Sequence, residues 1–282
     1  MMHEGLVMTD FVPECSIDGD KNRLGSGRSH RFTDIHCHCL HGLDDGPSTA
    51  AESLELCRML ACEGIATVVA TPHQLGRFDG SNDSAIIRQA VTDLRASLAK
   101  HAVPLEIVPG AEVRVDERIC RLLEADRILT LADGGRYVLL ELPLGVFIDI
   151  EPLLVELSSM GYEPIVAHAE RIVALSVPSR VLAGWLDHST HLQVTASSLS
   201  GNFGPELQQA AWSLLTSGWA TLVASDSHDT GFRRPRMKAA FERIRAELGQ
   251  ELADLVCVEN PSRVLQGQDI LPVSICNHKE AD

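Results

Sequence analysis

From Phe32 onward, short apolar runs alternate with stretches whose apolar residues recur at helical spacing. The runs Phe32–His36, Ile65–Thr71, Leu105–Pro109, Tyr137–Leu142, Pro164–His168, Leu192–Thr195 and Ala220–Ser225 predict seven strands, because each is a brief apolar block of strand length. Between them, Thr49–Glu63 places Leu54, Cys57, Leu60 and Ala61 on one helical face, and Ser84–Lys100 does the same with Ile87, Val91, Leu94 and Leu98. Strands that alternate with helices pair in parallel, and runs apolar on both faces need helices over both. The pattern predicts an α/β protein; an open doubly wound sheet and a closed barrel both fit it. Residues 1–30 mix Gly, Ser, Asp, Lys and Arg without a sustained apolar period. The expected division is a flexible leader over 1–30, one folded domain over 31–268 and a tail over 269–282.

The candidate chemistry lies where the apolar runs end. Parallel strands all point one way, so His36, His38, His73, Glu112, Glu141, His168, Asp226 and His228, each at or just past such an end, gather at one end of the sheet. On a strand His36 and His38 share a face, whereas Cys37 and Cys39 take the other. A zinc site made from all four would need both faces at once, so the ligand set is the His pair; taken alone, that pair reads equally well as two rim histidines. Asp44-Asp45-Gly46-Pro47 is a turn sequence in isolation, and two more carboxylates when set beside the histidines. In Pro109-Gly110-Ala111-Glu112 the glycine permits a tight turn that aims a carboxylate inward. Glu141 interrupts an apolar sequence, where an ionised carboxylate has to be paired or metal-bound. Arg171, three residues beyond His168, offers a guanidinium fork to a phosphate or an ion pair to Glu170. Arg233-Arg234-Pro235-Arg236 reads as an anion site or a solvated loop, and its place beside Asp226 and His228 favours the anion site.

Composition narrows the partners. Among 282 residues, 24 basic against 39 acidic side chains leave a net charge of −15, which repels nucleic-acid backbones and anionic lipid surfaces. A local cationic pocket for one small anion stays open. No apolar run approaches the roughly 20 residues of a membrane span, and the start Met1-Met2-His3-Glu4-Gly5 lacks a basic segment followed by an apolar one, so a cytoplasmic protein without membrane insertion is expected. Eight cysteines are too dilute for a disulfide scaffold and read as reduced thiols. With Asp45, five histidines and four carboxylates exceed the needs of one ion, since zinc takes about four ligands and manganese or iron about six. Two or three divalent ions follow, of Mn, Fe or Zn, in a set without thiolate.

At these residues the chain resembles the polymerase-and-histidinol-phosphatase (PHP) superfamily, from about Thr33 to Leu265. It is most similar there to the bacterial PHP-type protein-tyrosine phosphatases of capsule and exopolysaccharide clusters. The motifs are Asp34-Ile35-His36-Cys37-His38 with Asp44-Asp45-Gly46-Pro47, Thr71-Pro72-His73, Gly110-Ala111-Glu112, Ala167-His168-Ala169-Glu170-Arg171 and Ser225-Asp226-Ser227-His228. The resemblance implies a distorted (β/α)7 barrel with three metals at the carboxyl ends of its strands, manganese foremost. It implies that His36, His38, Glu112 and Asp226 hold the first ion, that Glu112 bridges to a second held by Glu141 and His168, and that Asp45, His73 and His228 hold the third. A metal-activated hydroxide would attack, with Arg171 and an arginine of 233–236, Arg233 foremost, orienting the phosphate and with Asp226 and His228 counted among the catalytic residues. The implied substrate is a phosphotyrosine protein, such as a tyrosine kinase of exopolysaccharide or capsule synthesis. Three departures stand out: a leader of about 30 residues precedes the motif that usually opens the family's chains, Gln193-Val194-Thr195 replaces a common Gln-Val-Asn, and Gln74 stands where a second basic residue or His is common.

Three alternatives compete. One is a small-metabolite phosphatase of histidinol-phosphate type on the same fold. Another is a non-catalytic kinase-binding module, against which the complete ligand set argues. The last is thiol chemistry at Cys257 and Arg263, which match a Cys-x5-Arg spacing; the intervening Val258-Glu259-Asn260-Pro261-Ser262 carries a proline without a donor and a repelling glutamate.

Overall fold

The computed structural model describes residues 31–172, 175 and 180–274. The expected leader and residues 275–282 of the expected tail lie outside the described residues. The strands are β1 (Phe32–Cys37), β2 (Ile65–Ala70), β3 (His73–Gln74), β4 (Glu106–Pro109), β5 (Glu112–Arg114), β6 (Tyr137–Glu141), β7 (Glu163–Val166), β8 (His191–Thr195) and β9 (Ala220–Ala224). Each predicted run holds one of them. The two strands that were not predicted are continuations: β2 breaks at Thr71-Pro72 and resumes as β3, and β4 breaks at Gly110-Ala111 and resumes as β5. Pro72 has no N–H to offer a ladder, which accounts for the first break.

All the pairings are parallel, in a three-stranded sheet of order β1-β2-β4 and a six-stranded sheet of order β3-β5-β6-β7-β8-β9. With each broken strand counted once, the order runs around a ring and returns to β1. There Asp226 N–H donates to the His36 carbonyl and His38 N–H to the Ser227 carbonyl, both at 2.9 Å. The Asp34 carboxylate ties the same seam, accepting from Ser225 N at 3.0 Å and Ser225 Oγ at 2.5 Å. The fold is thus a distorted seven-stranded (β/α) barrel whose last seam is a single bridge, Cys37 to Ser227, and not a full ladder.

The helices Ala50–Cys62 and Ser84–Lys100 fall where the apolar spacing predicts them, and Thr49 Oγ1 caps the first by accepting from Glu52 N at 3.2 Å. A small inner cluster of Ile35, Val69, Leu139, Ile165 and Leu222 fills the barrel, while the larger cluster lies under the helices. The register of β1 on β2 slips between Asp34 and Cys37, where three steps along β1 match two along β2. This bulge restores an inward face to His36 one residue after Ile35, and Cys37 and Cys39 turn into the helix-side core. Among the described residues no helix is long and apolar enough to cross a membrane.

Cys257 is fully buried in the helical turn Leu255–Glu259, its thiol pushed up by burial, and the next helix, Asn260–Leu265, leaves no loop that could cradle phosphate. Its sulfur is a core group, which removes the thiol alternative.

Candidate metal centre at the barrel mouth

The nine predicted ligands meet at the carboxyl ends of the strands. Glu112, at the start of β5, sits at their centre: its Oε2 lies 3.3 Å from His36 Nε2, 3.2 Å from His38 Nε2 and 3.2 Å from His73 Nδ1. Its Oε1 is 2.8 Å from His168 Nε2. Asp226 Oδ1 is 3.4 Å from His36 Nε2, and Asp45 Oδ1 is 3.4 Å from both His73 Nε2 and His228 Nε2. Three donor groups, each with atoms within 4.8 Å of one another, can hold ions: His36-His38-Asp226, His73-Glu112-Glu141 and His38-Asp45-His73-His228. The grouping differs from the implied one at three points. Glu112 is not in the group of His36, His38 and Asp226, His73 stands with Glu112 and Glu141 where His168 was expected, and His38 also joins the third group. His168 instead bonds the far oxygen of Glu112.

The donor set fits cations on geometric grounds. Gln193 Oε1 accepts from His36 Nδ1 at 3.0 Å, and Asp44 Oδ2 accepts from His38 Nδ1 at 2.6 Å. With Nδ1 of each ring so engaged, both Nε2 atoms face the mouth, 3.2 Å apart. Although burial opposes it, Glu112 and Asp226 raise the His36 pKa, and Asp44 and Glu112 raise that of His38, so a cation bound there would displace protons from the two Nε2 atoms. His228 Nδ1 bonds the Asp226 carbonyl at 3.0 Å, and its buried Nε2 has no hydrogen-bond partner. Burial and then the neighbouring His38 push the His228 pKa down to about 4, which keeps the ring neutral as ligation requires. Burial alone would raise the pKa values of Glu112 and Asp226. Nearby charges outweigh it and hold both well below the usual carboxylate range, His36 and His168 around Glu112, Arg171 and His36 around Asp226.

Asp44 has a role that reading its motif as a turn did not reveal. Its Oδ2 also accepts from His73 N at 3.0 Å, and its Oδ1 from Gly46 N at 2.9 Å, so one carboxylate orients His38 and fixes the loop carrying His73. The expected result of Asp44→Ala is metal affinity about 10–100-fold weaker in a competition titration with a chromophoric chelator. Unchanged affinity would remove Asp44 from the site.

His168 and Asp226 occupy the left-handed region, at φ +34° and +51°, a strain that non-glycine residues keep where the surroundings enforce it. Arg171, from the turn Ala169–Arg171, reaches Asp226 Oδ2 at 2.5 Å; Arg233 Nη2 lies 3.0 Å from both Asp226 oxygens, whereas Arg234 is exposed. Glu170 does not pair with Arg171; buried, it accepts from Thr195 N at 3.1 Å and Ser198 Oγ at 2.7 Å. Glu141 is paired on one side by Arg114 at 3.0 Å, and its other oxygen lies 3.7 Å from His73 Nδ1. Gln74 faces away from the mouth and bonds the backbone at Asn82, Arg127 and Leu129. Gly110 is needed for close approach and not for a special turn: a Cβ there would stand 2.6 Å from Val69 Cγ1. Two arginines that the sequence did not single out, Arg77 and Arg114, also line the cleft of about 360 Å³ above the ligands.

Fold and site together define an α/β barrel built to gather cations at one mouth. The chain belongs to the capsular polysaccharide synthesis CpsB/CapC family, whose profile matches residues 32–266. It is 33% identical over 238 residues to the tyrosine-protein phosphatase YwqE of Bacillus subtilis (strain 168), spanning 84% of this chain and 92% of the relative. It is 28% identical over 242 residues to the tyrosine-protein phosphatase CpsB of Streptococcus pneumoniae, spanning 83% and 98%. The solved structures described as YwqE from Bacillus subtilis and CpsB from Streptococcus pneumoniae, unique metal-dependent tyrosine phosphatases, match with a TM-score of 0.81 at 32% identity, covering 86% of this chain and 97% of the matched one. A lactonase from Listeria monocytogenes, 12% identical with a TM-score of 0.53, shares the fold alone.

Proposed function

We propose that the chain is a metal-dependent tyrosine phosphatase that cleaves phosphotyrosine monoesters at the barrel mouth. The observation that carries this reading is the gathering of nine imidazole and carboxylate side chains able to ligate ions beside Arg171 and Arg233, both of which bond Asp226. When bound, divalent ions supply positive charge to the phosphoryl oxygens and acidify an attacking water. The chain's own part is to set ligand protonation, through Gln193 and Asp44, and to hold two guanidinium forks where phosphate charge develops. A tyrosinate leaving group has a parent pKa of about 10, so it departs with little acid assistance, and aryl phosphates are favoured over alkyl ones. The ion set we propose is two or three divalent ions, manganese foremost with iron and zinc as alternatives. The substrate we propose is a phosphorylated tyrosine kinase of capsule or exopolysaccharide synthesis, met in the cytoplasm. The family's relatives, named as tyrosine-protein phosphatases, support the reaction class.

The test compares a phosphotyrosine peptide with histidinol phosphate, before and after chelation. The expected result is peptide hydrolysis that chelation abolishes and Mn²⁺ restores, with Cys257→Ser retaining wild-type rates. Preference for histidinol phosphate would shift the reading to the small-metabolite class. Absence of any turnover in metal-loaded protein would favour the non-catalytic module.

A further inference from the structure

Two of the four arginines around the cleft are not accounted for by phosphate binding at the ligand cluster. Arg171 and Arg233 converge on the buried carboxylate of Asp226, which marks the floor, and Arg233 also reaches Asp45 Oδ2 at 3.6 Å. Arg77 and Arg114 stand at the outer lip, 66% and 32% exposed, where Arg77 Nη2 pairs with Asp45 at 3.1 Å and Arg114 Nη1 with Glu141 at 3.0 Å. They are neighbours. Gly76 lies at φ +56°, and a Cβ there would be 3.0 Å from Arg114 Cγ, so the Arg114 stem runs directly beneath the turn Gly76–Phe78 that carries Arg77. The turn is itself anchored: the Phe78 ring stacks on His73 at 5.5 Å, and the Arg77 guanidinium lies 4.6 Å over that ring. Each guanidinium uses part of a five-donor fork on its carboxylate and keeps the remainder for a ligand. Leu75, Phe78 and Leu144 add apolar surface to the lining of the same cleft.

From this layering we infer that Arg77 and Arg114 are specificity-determining residues, which select phosphotyrosines flanked within a few residues by anionic groups. The inference rests on the proposed phosphatase reading and adds a substrate class to it. A phosphoryl group held at the floor puts its aromatic ring against this apolar lining and its peptide backbone at the lip. On a chain of net charge −15, an acidic peptide is repelled almost everywhere else, so a paired cationic lip is what admits it. Side-chain carboxylates and a second phosphate share the chemistry that the lip recognises.

The experiment measures kcat/KM and, with non-hydrolysable phosphonate analogues, affinity for phosphotyrosine peptides flanked by Glu, Gln or Lys, and for one bearing two phosphotyrosines. At low salt the wild type is expected to favour the Glu-flanked over the Gln-flanked peptide about fivefold, the sum of two exposed ion pairs, and to lose that preference in high salt. Arg77→Glu, at a surface position, is expected to reverse the order in favour of the Lys-flanked peptide, and Arg114→Gln to narrow the Glu-over-Gln ratio. Tighter binding of the doubly phosphorylated peptide than of the Glu-flanked one would assign phosphate as the preferred lip ligand; the opposite order would assign carboxylate. Equal treatment of Glu and Gln flanks by the wild type, or an acidic preference that survives Arg77→Glu, would overturn the inference. Affinity is read without turnover, so binding preferences that hold while no peptide is cleaved would sink the phosphatase reading and leave the lip standing.

Discussion

Asp226→Ala is expected to lower aryl phosphatase activity by about 10³-fold or more and to release at least one bound ion, with the fold retained. Three functions meet on this side chain. Its Oδ1 belongs to the group with His36 and His38. Its carboxylate also fixes Arg171 at 2.5 Å and Arg233 at 3.0 Å, so alanine frees both forks at once. The backbone at Asp226 closes the barrel seam through its N–H, and the substitution leaves that bond in place. The φ of +51° suits alanine less well than aspartate, so a small loss of stability accompanies the change. Steady-state kinetics, elemental analysis and a thermal melt on one preparation separate these effects. Activity within tenfold of wild type would remove Asp226 from the centre of the site.

Arg171→Ala is expected to cost about 10²–10³-fold in kcat/KM while the metal content stays intact. Arg171 is largely buried, bonds Asp226 and lies 5.1 Å over the Phe203 ring, so its guanidinium is held in one orientation. Nearby Asp226 and Glu170 outweigh its burial and raise its pKa, so it is cationic throughout the working range. Arg171→Lys is expected to recover little, because a point charge cannot offer two parallel donors to a phosphate. Full recovery with lysine would show that charge alone is required. Loss of ions together with activity would make Arg171 a support for the ligands and not a phosphate contact.

The strands were legible because burial on both faces leaves unbroken apolar runs, and the candidate ligands other than Asp45 because they lie at or just past the ends of those runs. The barrel was not separable from an open sheet by periodicity. What closes it is local: the two backbone bonds across the Cys37–Ser227 seam and the carboxylate of Asp34 on Ser225. The bulge in β1 was equally hidden, since a one-residue slip leaves no mark in an apolar run. Asp44 and Asp45 are adjacent in sequence with different tasks, one orienting His38 and the other facing His73 and His228; only the direction of each side chain distinguishes them. Glu141 was expected to be paired or metal-bound, but its partner Arg114 lies on a neighbouring strand, and no short-range pattern links the two. Gln74, set in the sequence beside His73, turns to the opposite side because successive strand residues do.

The most direct test of the account is the metal stoichiometry of the purified chain after loading with Mn²⁺ and removal of free ions. The account predicts about two to three ions per chain, falling in Asp226→Ala and in Asp44→Ala. Fewer than about one ion per chain in the wild type, with the fold intact, would contradict it.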